Sequence, residues 1–428
     1  MNLRRYFKQA VASIKAQPLV SWVSIAGTAL AIFMIMMAVM SEDILIAPYA
    51  PESNRDRWLV VNGASIYNEG WDNGMQSNGG MGYNMVRQVL YAMETPEAVG
   101  VMDWQWEALL SDASGKAFGA LMLGVDHGFW KVMDFTFISG KPFDKGEFES
   151  GKPVAVMSET TARRLFGTAD AAGRELRINH VPYTVKGVVR DVSTLATQAF
   201  SEVWVPYTAN GSSNNSWCDY MGSLHAVILP HSKADFPEVK KEYRKLMAKL
   251  EEEAKINGWK FELRERPYDQ ETAVATKWVN MSPDMAATRR IRYFTWAILL
   301  LVPAVNLSSM THSRLTRRRE EIGVRRAFGA TRGNILTDLF IENLLITIVA
   351  GIIGLALSVA FAFFGAESVF AAQATSGSVT NVSPMMLLNW NTFGLALIFC
   401  LILNILSVSL PALQAARTNV VNALAGKN

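Results

Sequence analysis

Residues 19–40 read LVSWVSIAGTALAIFMIMMAVM, a run without one charged side chain. Crossing a hydrocarbon core of roughly 30 Å takes about 20 such residues in an α-helix. The run exceeds the apolar stretch of a signal peptide and no A-x-A-like cleavage site closes it, so a retained anchor is expected. Three further stretches meet the same length criterion, at about Tyr293–Thr311, Ile335–Ala366 and Thr392–Leu413. The Ile335–Ala366 stretch carries Asp338 and Glu342 in its first turns.

These spans organise the whole chain of 428 residues, of which half are hydrophobic and 18% charged. That balance is too apolar for an ordinary soluble enzyme and too charged for membrane helices alone. The expected fold is an α-helical membrane protein with four transmembrane helices and a large α+β extracytoplasmic domain between spans 1 and 2. The expected segments are an amphipathic N-terminal helix 1–18, span 19–41, outer domain 42–291, span 292–311 and loop 312–334. Span 335–366, loop 367–391, span 392–413 and tail 414–428 follow.

Lys and Arg near the spans set orientation. Arg4, Arg5, Lys8 and Lys15 precede the first span. Arginines 314, 317, 318, 319, 325, 326 and 332 lie between the second and third, whereas residues 367–390 hold no Lys or Arg. The N-terminus, the 312–334 loop and the C-terminus are therefore expected in the cytoplasm, and the large domain outside. Residues 42–291 hold 27 Lys and Arg against 33 Asp and Glu, while the remainder of the chain is basic.

Within the outer domain, RWLVVN (57–62) has a strand pattern and NEGWDNGMQSNGGMGYN (68–84) reads as a Gly/Asn-rich loop before a helical pattern at Met85–Met93. A strand is expected near Val99 and another at SLHAVILP (223–230). Phe236, Val239, Tyr243, Leu246, Met247 and Leu250 then recur at helical spacing. Asn257-Gly258 ends that helix, and WKFELRE (259–265) reads as a strand. Two strand–helix–strand units would flank a mostly-β section at about 125–210. In it PVAVMS (153–158) is a strand, SETTARRLFG (158–167) a helix ended by Gly167, and ELRINHVPYTVKGVVRDV (175–192) a hairpin. The polar stretch 210–223 reads as a loop.

Residues VDHGFWKVMDFTFISGKPFDKGEF, followed by PVAVMSETTARRLFG and AAGRELRINHVPYTVKGVVRDV, resemble the periplasmic core domain of MacB-type ABC permeases. The order and spacing match, with Lys141 standing where an arginine is more usual. EIGVRRAFGATRGNILTDLFIENLLITIVAGIIG (321–354) is similar to the hallmark segment of the FtsX-type permease domain. The N-terminal LRRYFKQAVASIKAQP and C-terminal PALQAARTNVVNALAG agree with that resemblance.

The resemblance implies that the segment Glu320, Glu321, Ile322, Gly323, Val324, Arg325, Arg326, Ala327, Phe328, Gly329 and Ala330 is a coupling helix seated on a separate ATPase. On a helix, Val324, Ala327 and Phe328 form a short apolar stripe, Glu321 and Arg325 stand at i, i+4, and Gly329 suits the helix end. The run Arg314–Arg319 is read first as a topology determinant and a binder of anionic headgroups. A nucleic-acid partner is not expected beside two membrane spans. Asp338 and Glu342 are read either as a boundary feature or as further coupling contacts. Gly27, Ala31, Gly351 and Gly354 are expected to permit close helix packing.

No G-x-x-x-x-G-K-[ST] loop, H-E-x-x-H or paired-cysteine pattern is found in the sequence. No catalytic residue, metal or directly bound cofactor is expected, and ATP with Mg²⁺ would be bound by the partner ATPase. Cys218, His225 and His231 are read as ordinary side chains. Expected partners are ABC ATPase subunits, a second permease subunit (identical or paralogous), membrane lipids, and a periplasmic adaptor with an outer-membrane channel. Function is expected to be export from a cell inner membrane, with lipoprotein release or FtsX-like signalling to a periplasmic partner as alternatives.

Overall fold

The computed structural model describes residues 18–71, 75–211, 218–276, 278–317, 324, 328–329, 331–364, 394, 398–399, 401–403 and 405–406. Leu45–Met285 fall in one compact unit and the long apolar helices in another.

The first helix, α1, runs unbroken from Pro18 to Ile46. Strands β1 (Leu59–Val61), β2 (Ala64–Asn68) and β3 (Ser77–Met81) follow. A single turn of helix, α2 (Tyr83–Met85), widens into a π-turn over Val86–Leu90. Next come β4 (Ala98–Ser111), β5 (Ala117–Val125), α3 (Phe129–Val132), β6 (Phe137–Gly140) and α4 (Lys145–Glu149). They lead to β7 (Val154–Ser158), α5 (Glu159–Phe166), β8 (Glu175–Ile178), β9 (Val181–Val189) and β10 (Val203–Pro206). The chain returns through β11 (Met221–Gly222), β12 (His225–Leu229), α6 (Phe236–Ala254), β13 (Trp259–Phe261) and α7 (Gln270–Ala275).

Among the described residues one sheet takes the order β1-β12-β4-β5-β10-β7-β9-β6, with β8 beside β4 and β9. Strand β4 joins its parts. Ala98–Met102 pair with β12, and Met102–Ser111 pair with β5 past an irregularity between Met102 and Gln105. The mostly-β section therefore extends the sheet of the strand–helix–strand units. One apolar cluster gathers Trp58, Val101, Met102, Trp204 and Tyr243, and a second gathers Ala108, Leu110, Leu165, Val185 and Val205.

Local sequence explains the elements. Helix α5 starts at Ser158, whose Oγ accepts from Thr161 N, and stops at Gly167 with φ +75°. Helix α6 buries Val239, Tyr243, Met247, Leu250 and Ala254, a stripe at three- and four-residue spacing. Gly258 ends its final turn at φ +74°. The 175–192 hairpin turns at Asn179 and His180, both at positive φ.

Two readings are corrected. Strand β3 lies inside the stretch expected to be a loop, paired with β2 and β11. It is glycine-rich because a neighbouring backbone comes too near for a side chain: a Cβ on Gly80 would lie 2.5 Å from the Ser223 carbonyl carbon. The strand expected at 259–265 ends at Phe261, since Arg264 and Glu265 adopt positive φ and leave the extended conformation.

In the helical unit, α8 covers Met285–Arg317 and α9 covers Arg332–Phe364. Among the described residues two helices are long and apolar enough to cross a membrane, Ser21–Ile46 and Phe340–Phe364, with mean hydropathies of 2.3 and 2.6. Ile25 and Ala29 of α1 pack on Ile346 and Ala350 of α9. A Cβ on Gly354 would lie 2.8 Å from the Ala29 carbonyl oxygen, so the helices meet where glycine was expected to let them. Phe399 packs with Ile35 and Val39 of α1 and with Trp296 of α8. Arg292 Nε sits 3.0 Å from Glu42 Oε2, pairing the ends of α8 and α1.

Candidate functional site

The segment expected to meet an ATPase is described at Val324, Phe328 and Gly329. Its other expected members, Glu320, Glu321, Ile322, Gly323, Arg325, Arg326, Ala327 and Ala330, lie outside the described residues, as do residues 1–17 and 407–428. Phe328 N donates to Val324 O at 3.1 Å, closing one helical turn. Gly329 ends it with φ +93°, and a Cβ there would meet nothing within 4 Å. Its requirement is therefore conformational rather than steric.

Thr331 Oγ1 then accepts from Asn334 N at 3.2 Å, capping α9 immediately. Two residues separate the end of the turn from the first residue of α9, which leaves little slack. The turn displays Phe328 with 88% of its surface exposed and Val324 with 45%. The apolar pair stands clear of the chain's own core, as a docking face would.

Asp338 lies in α9, and its side chain is outside the described residues. Glu342, also in α9, is buried with 8% exposure. Asn343 and Thr347 of α9 and Ser21, Ser24 and Thr28 of α1 are buried too. Polar groups at these positions are costly in hydrocarbon and belong inside a bundle. Thr347 Oγ1 donates to Asn343 O at 2.9 Å.

The outer unit holds its own fastening at the exit of α1, which sequence reasoning missed. Glu52 and Arg55 are both buried, with Arg55 Nε 2.6 Å from Glu52 Oε2. Glu52 Oε1 accepts from Gln198 N at 2.7 Å and Ala199 N at 2.9 Å. Arg55 Nη2 donates to Leu195 O at 2.9 Å, and its guanidinium lies 4.3 Å from the Tyr49 ring centroid. This ion pair thus nails the segment after α1 to the loop before β10. Burial, ahead of the nearby charges, pushes the Tyr49 hydroxyl well above the usual phenol range.

The returning chain is tied to the same place. Gln270 Nε2 donates to Leu45 O at 2.8 Å, satisfying a carbonyl in the last turn of α1, and its Oε1 accepts from Trp58 Nε1 at 2.8 Å. Val60 and Tyr268 exchange two backbone hydrogen bonds. Arg266 Nε donates to Asn62 Oδ1 at 2.9 Å and its Nη2 to Val279 O. Entering and leaving strands are therefore one mechanical piece. Movement of either drags the other.

Farther out, Asp126 is fully buried. It accepts from Phe129 N at 2.8 Å and from the Tyr91 hydroxyl at 2.9 Å, and that hydroxyl lies 2.7 Å from the Tyr207 hydroxyl. Burial pushes its carboxyl up to about 7, against the opposing effect of the backbone donors. Half-buried His225 has its pKa lowered to about 4 by desolvation. Among the described residues no group of His, Cys, Asp and Glu is placed to hold a metal.

Comparison with known proteins covers both units. Residues 21–264 match the family model of the MacB-like periplasmic core domain, and residues 293–420 match the FtsX-like permease C-terminal model. The chain is 25% identical over 312 residues to the uncharacterized ABC transporter permease YknZ of Bacillus subtilis, covering 71% of this chain and 70% of that one. It is 26% identical over 306 residues to the macrolide export ATP-binding/permease protein MacB of Chromobacterium violaceum, covering 72% of this chain and 43% of that protein. The chain thus spans less than half the length of that MacB protein. A solved structure, the extracellular domain of the noncanonic ABC-type transporter YknZ from Gram-positive bacteria, aligns with a TM-score of 0.33 and 17% identity. The alignment covers 46% of this chain and 98% of that one.

Proposed function

The chain belongs to the MacB/FtsX family of ABC transporter permeases, membrane proteins with a periplasmic domain, and from that membership we propose that it converts ATP hydrolysis by a separate ATPase subunit into movement of its outer domain. The observation that carries this reading is the exposed Val324–Phe328 turn, stopped by Gly329 and capped at once into α9. A partner that seats Phe328 in a pocket gains a contact joined to a membrane helix by three residues. Displacement there is passed to α9 and, through the close Gly354–Ala29 crossing, to α1.

Helix α1 continues without a break to Ile46, and the chain beyond it is fixed by Glu52, Arg55 and Gln270. In this scheme a push on the turn reaches the outer unit along the chain that leaves α1. ATP and Mg²⁺ belong to the ATPase in this scheme, and this chain is non-catalytic. A second permease subunit completes the transporter, with N- and C-termini in the cytoplasm and the work directed to export across an inner membrane.

The test is reconstitution with the ATPase that co-purifies with the tagged full chain. Phe328→Asp should leave insertion and the outer unit intact, while co-purification of the ATPase and stimulation of its turnover fall at least tenfold. Unchanged stimulation in that variant refutes the assignment.

A further inference from the structure

We infer that the outer domain carries a binding site for a small amphiphilic anion, in the cavity between the start of β4, the Asp126–Lys131 turn and the Lys141–Lys145 segment. The site is argued from its own residues and does not rest on the permease reading. The cavity measures about 590 Å³, within the range of small-molecule pockets.

Its lining is two-sided. Trp130 and Phe143 supply an apolar wall, their ring centroids 5.4 Å apart at an interplanar angle of 88°. Trp130 is the hub of that wall, since Phe129, Phe135 and Phe137 also contact its ring. An indole so enclosed is locked in place and offers a preorganised surface. Lys131, Lys141 and Lys145 supply the other character.

The acids in the same lining are already committed. Glu97 pairs with Arg57 at 2.9 Å, and Asp144 accepts from Glu147 N as the cap of α4. Lys145 has Glu149 at 3.7 Å, a loose i, i+4 pair. Among the described residues Lys131 and Lys141 have no carboxylate within ion-pair distance. Two ammonium groups thus border the cavity without a direct ion-pair partner among the described residues, Glu97 acting on Lys131 only at longer range.

The wall also holds two polar atoms that nothing satisfies. Trp130 Nε1 and His127 Nδ1 are both buried and make no hydrogen bond. Both atoms are out of reach of solvent, so the aromatic wall and the lysines, not these nitrogens, define the site.

The backbone is shaped for the cavity as well. A Cβ on Gly128 would lie 1.9 Å from Val99 O, so only glycine lets the His127 turn close against β4. Gly140, at φ +69°, turns the chain into Lys141 where a Cβ would meet Lys186 O at 2.2 Å. The fitting ligand has one acidic group for the lysines and a flat or aliphatic body for Trp130 and Phe143. A carboxylate and a phosphate or sulfate ester share that chemistry.

The test is equilibrium dialysis of the full chain in zwitterionic nanodiscs, without ATP or ATPase, corrected by empty discs. The probes are 1-naphthoate, 1-naphthyl phosphate and the neutral 1-naphthamide. Saturable binding of at least one anion, at least tenfold tighter than the amide, is expected. The stronger of the two identifies the acid type. Lys131→Gln with Lys141→Gln should weaken the anion tenfold or more and leave the amide unchanged. Trp130→Phe, which keeps a ring but narrows the apolar wall, should weaken anion and amide alike, severalfold, with the melting temperature held. No saturable anion binding, equal binding of the amide, or full binding by the lysine variant overturns the site.

Discussion

Arg55 and Glu52 face each other across 2.6 Å with neither side chain exposed, three residues apart in a segment that is not helical. Two charges so enclosed hold only while each satisfies the other. Their further hydrogen bonds go to the 195–199 backbone and, from Arg55 Nη1, to Ala47 O at 3.3 Å.

Glu52→Ala strands the guanidinium, and removal of one member of a buried pair costs about 3–5 kcal/mol. The denaturant midpoint of the full chain, followed by tryptophan fluorescence, should drop accordingly. The double variant with Arg55→Ala should lose less than the sum of the single losses, because the residues share one interaction. Additive losses would dissolve the pair as a unit.

At Gly329 the requirement is a positive φ in open space, so substitution should separate conformation from bulk. Gly329→Val meets a cost of about 1–2 kcal/mol in the left-handed region and should break the turn, abolishing stimulation of the ATPase. Gly329→Asn, larger than alanine but tolerant of that region, should retain most of it. If both variants behave alike in the reconstituted assay, the turn is not what transmits.

Asp126 titrates with a sign that can be stated. Its folded pKa is raised by burial to about 7, above the ordinary carboxylate value. The associated stability is present below about pH 4 and is lost progressively as pH rises through about 7. The melting temperature of the outer unit should therefore fall between about pH 4 and pH 7 and level off above. Asp126→Asn should flatten that dependence while keeping the Tyr91 contact. An unchanged slope in the variant would remove Asp126 from the titration.

Gly354→Leu tests the helix crossing. Its Cβ would press on the Ala29 carbonyl, which is backbone and cannot swing aside. Overpacking of this kind costs about 1–3 kcal/mol, readable as a shifted unfolding midpoint in mixed micelles. Gly333→Leu, whose nearest neighbour is the Thr331 Oγ1 at 3.9 Å, is the control and should shift little.

Much of this was legible from local pattern. The apolar run 19–40, the α6 stripe and the glycine ends at 167, 258 and 329 depend on neighbours within a turn or two, so sequence spacing carries them. Strand β3 was not legible. Its glycines read as a loop unless one knows that residues 219–223 lie against them, some 140 positions away. The Glu52–Arg55 fastening failed for the same reason. An acid and an arginine three apart suggest a surface pair, and only their distant partners at 195–199 make them buried.

Strand β4 has one more consequence. It lends Val101 and Met102 to one apolar cluster and Ala108 and Leu110 to the other, with ladders to β12, β5 and β8 along its length. Neither cluster can come apart without breaking a ladder on which the other depends. Its ladder-bonded amides should therefore exchange with solvent through global opening, with one common opening free energy, and the outer domain should melt as a single cooperative body.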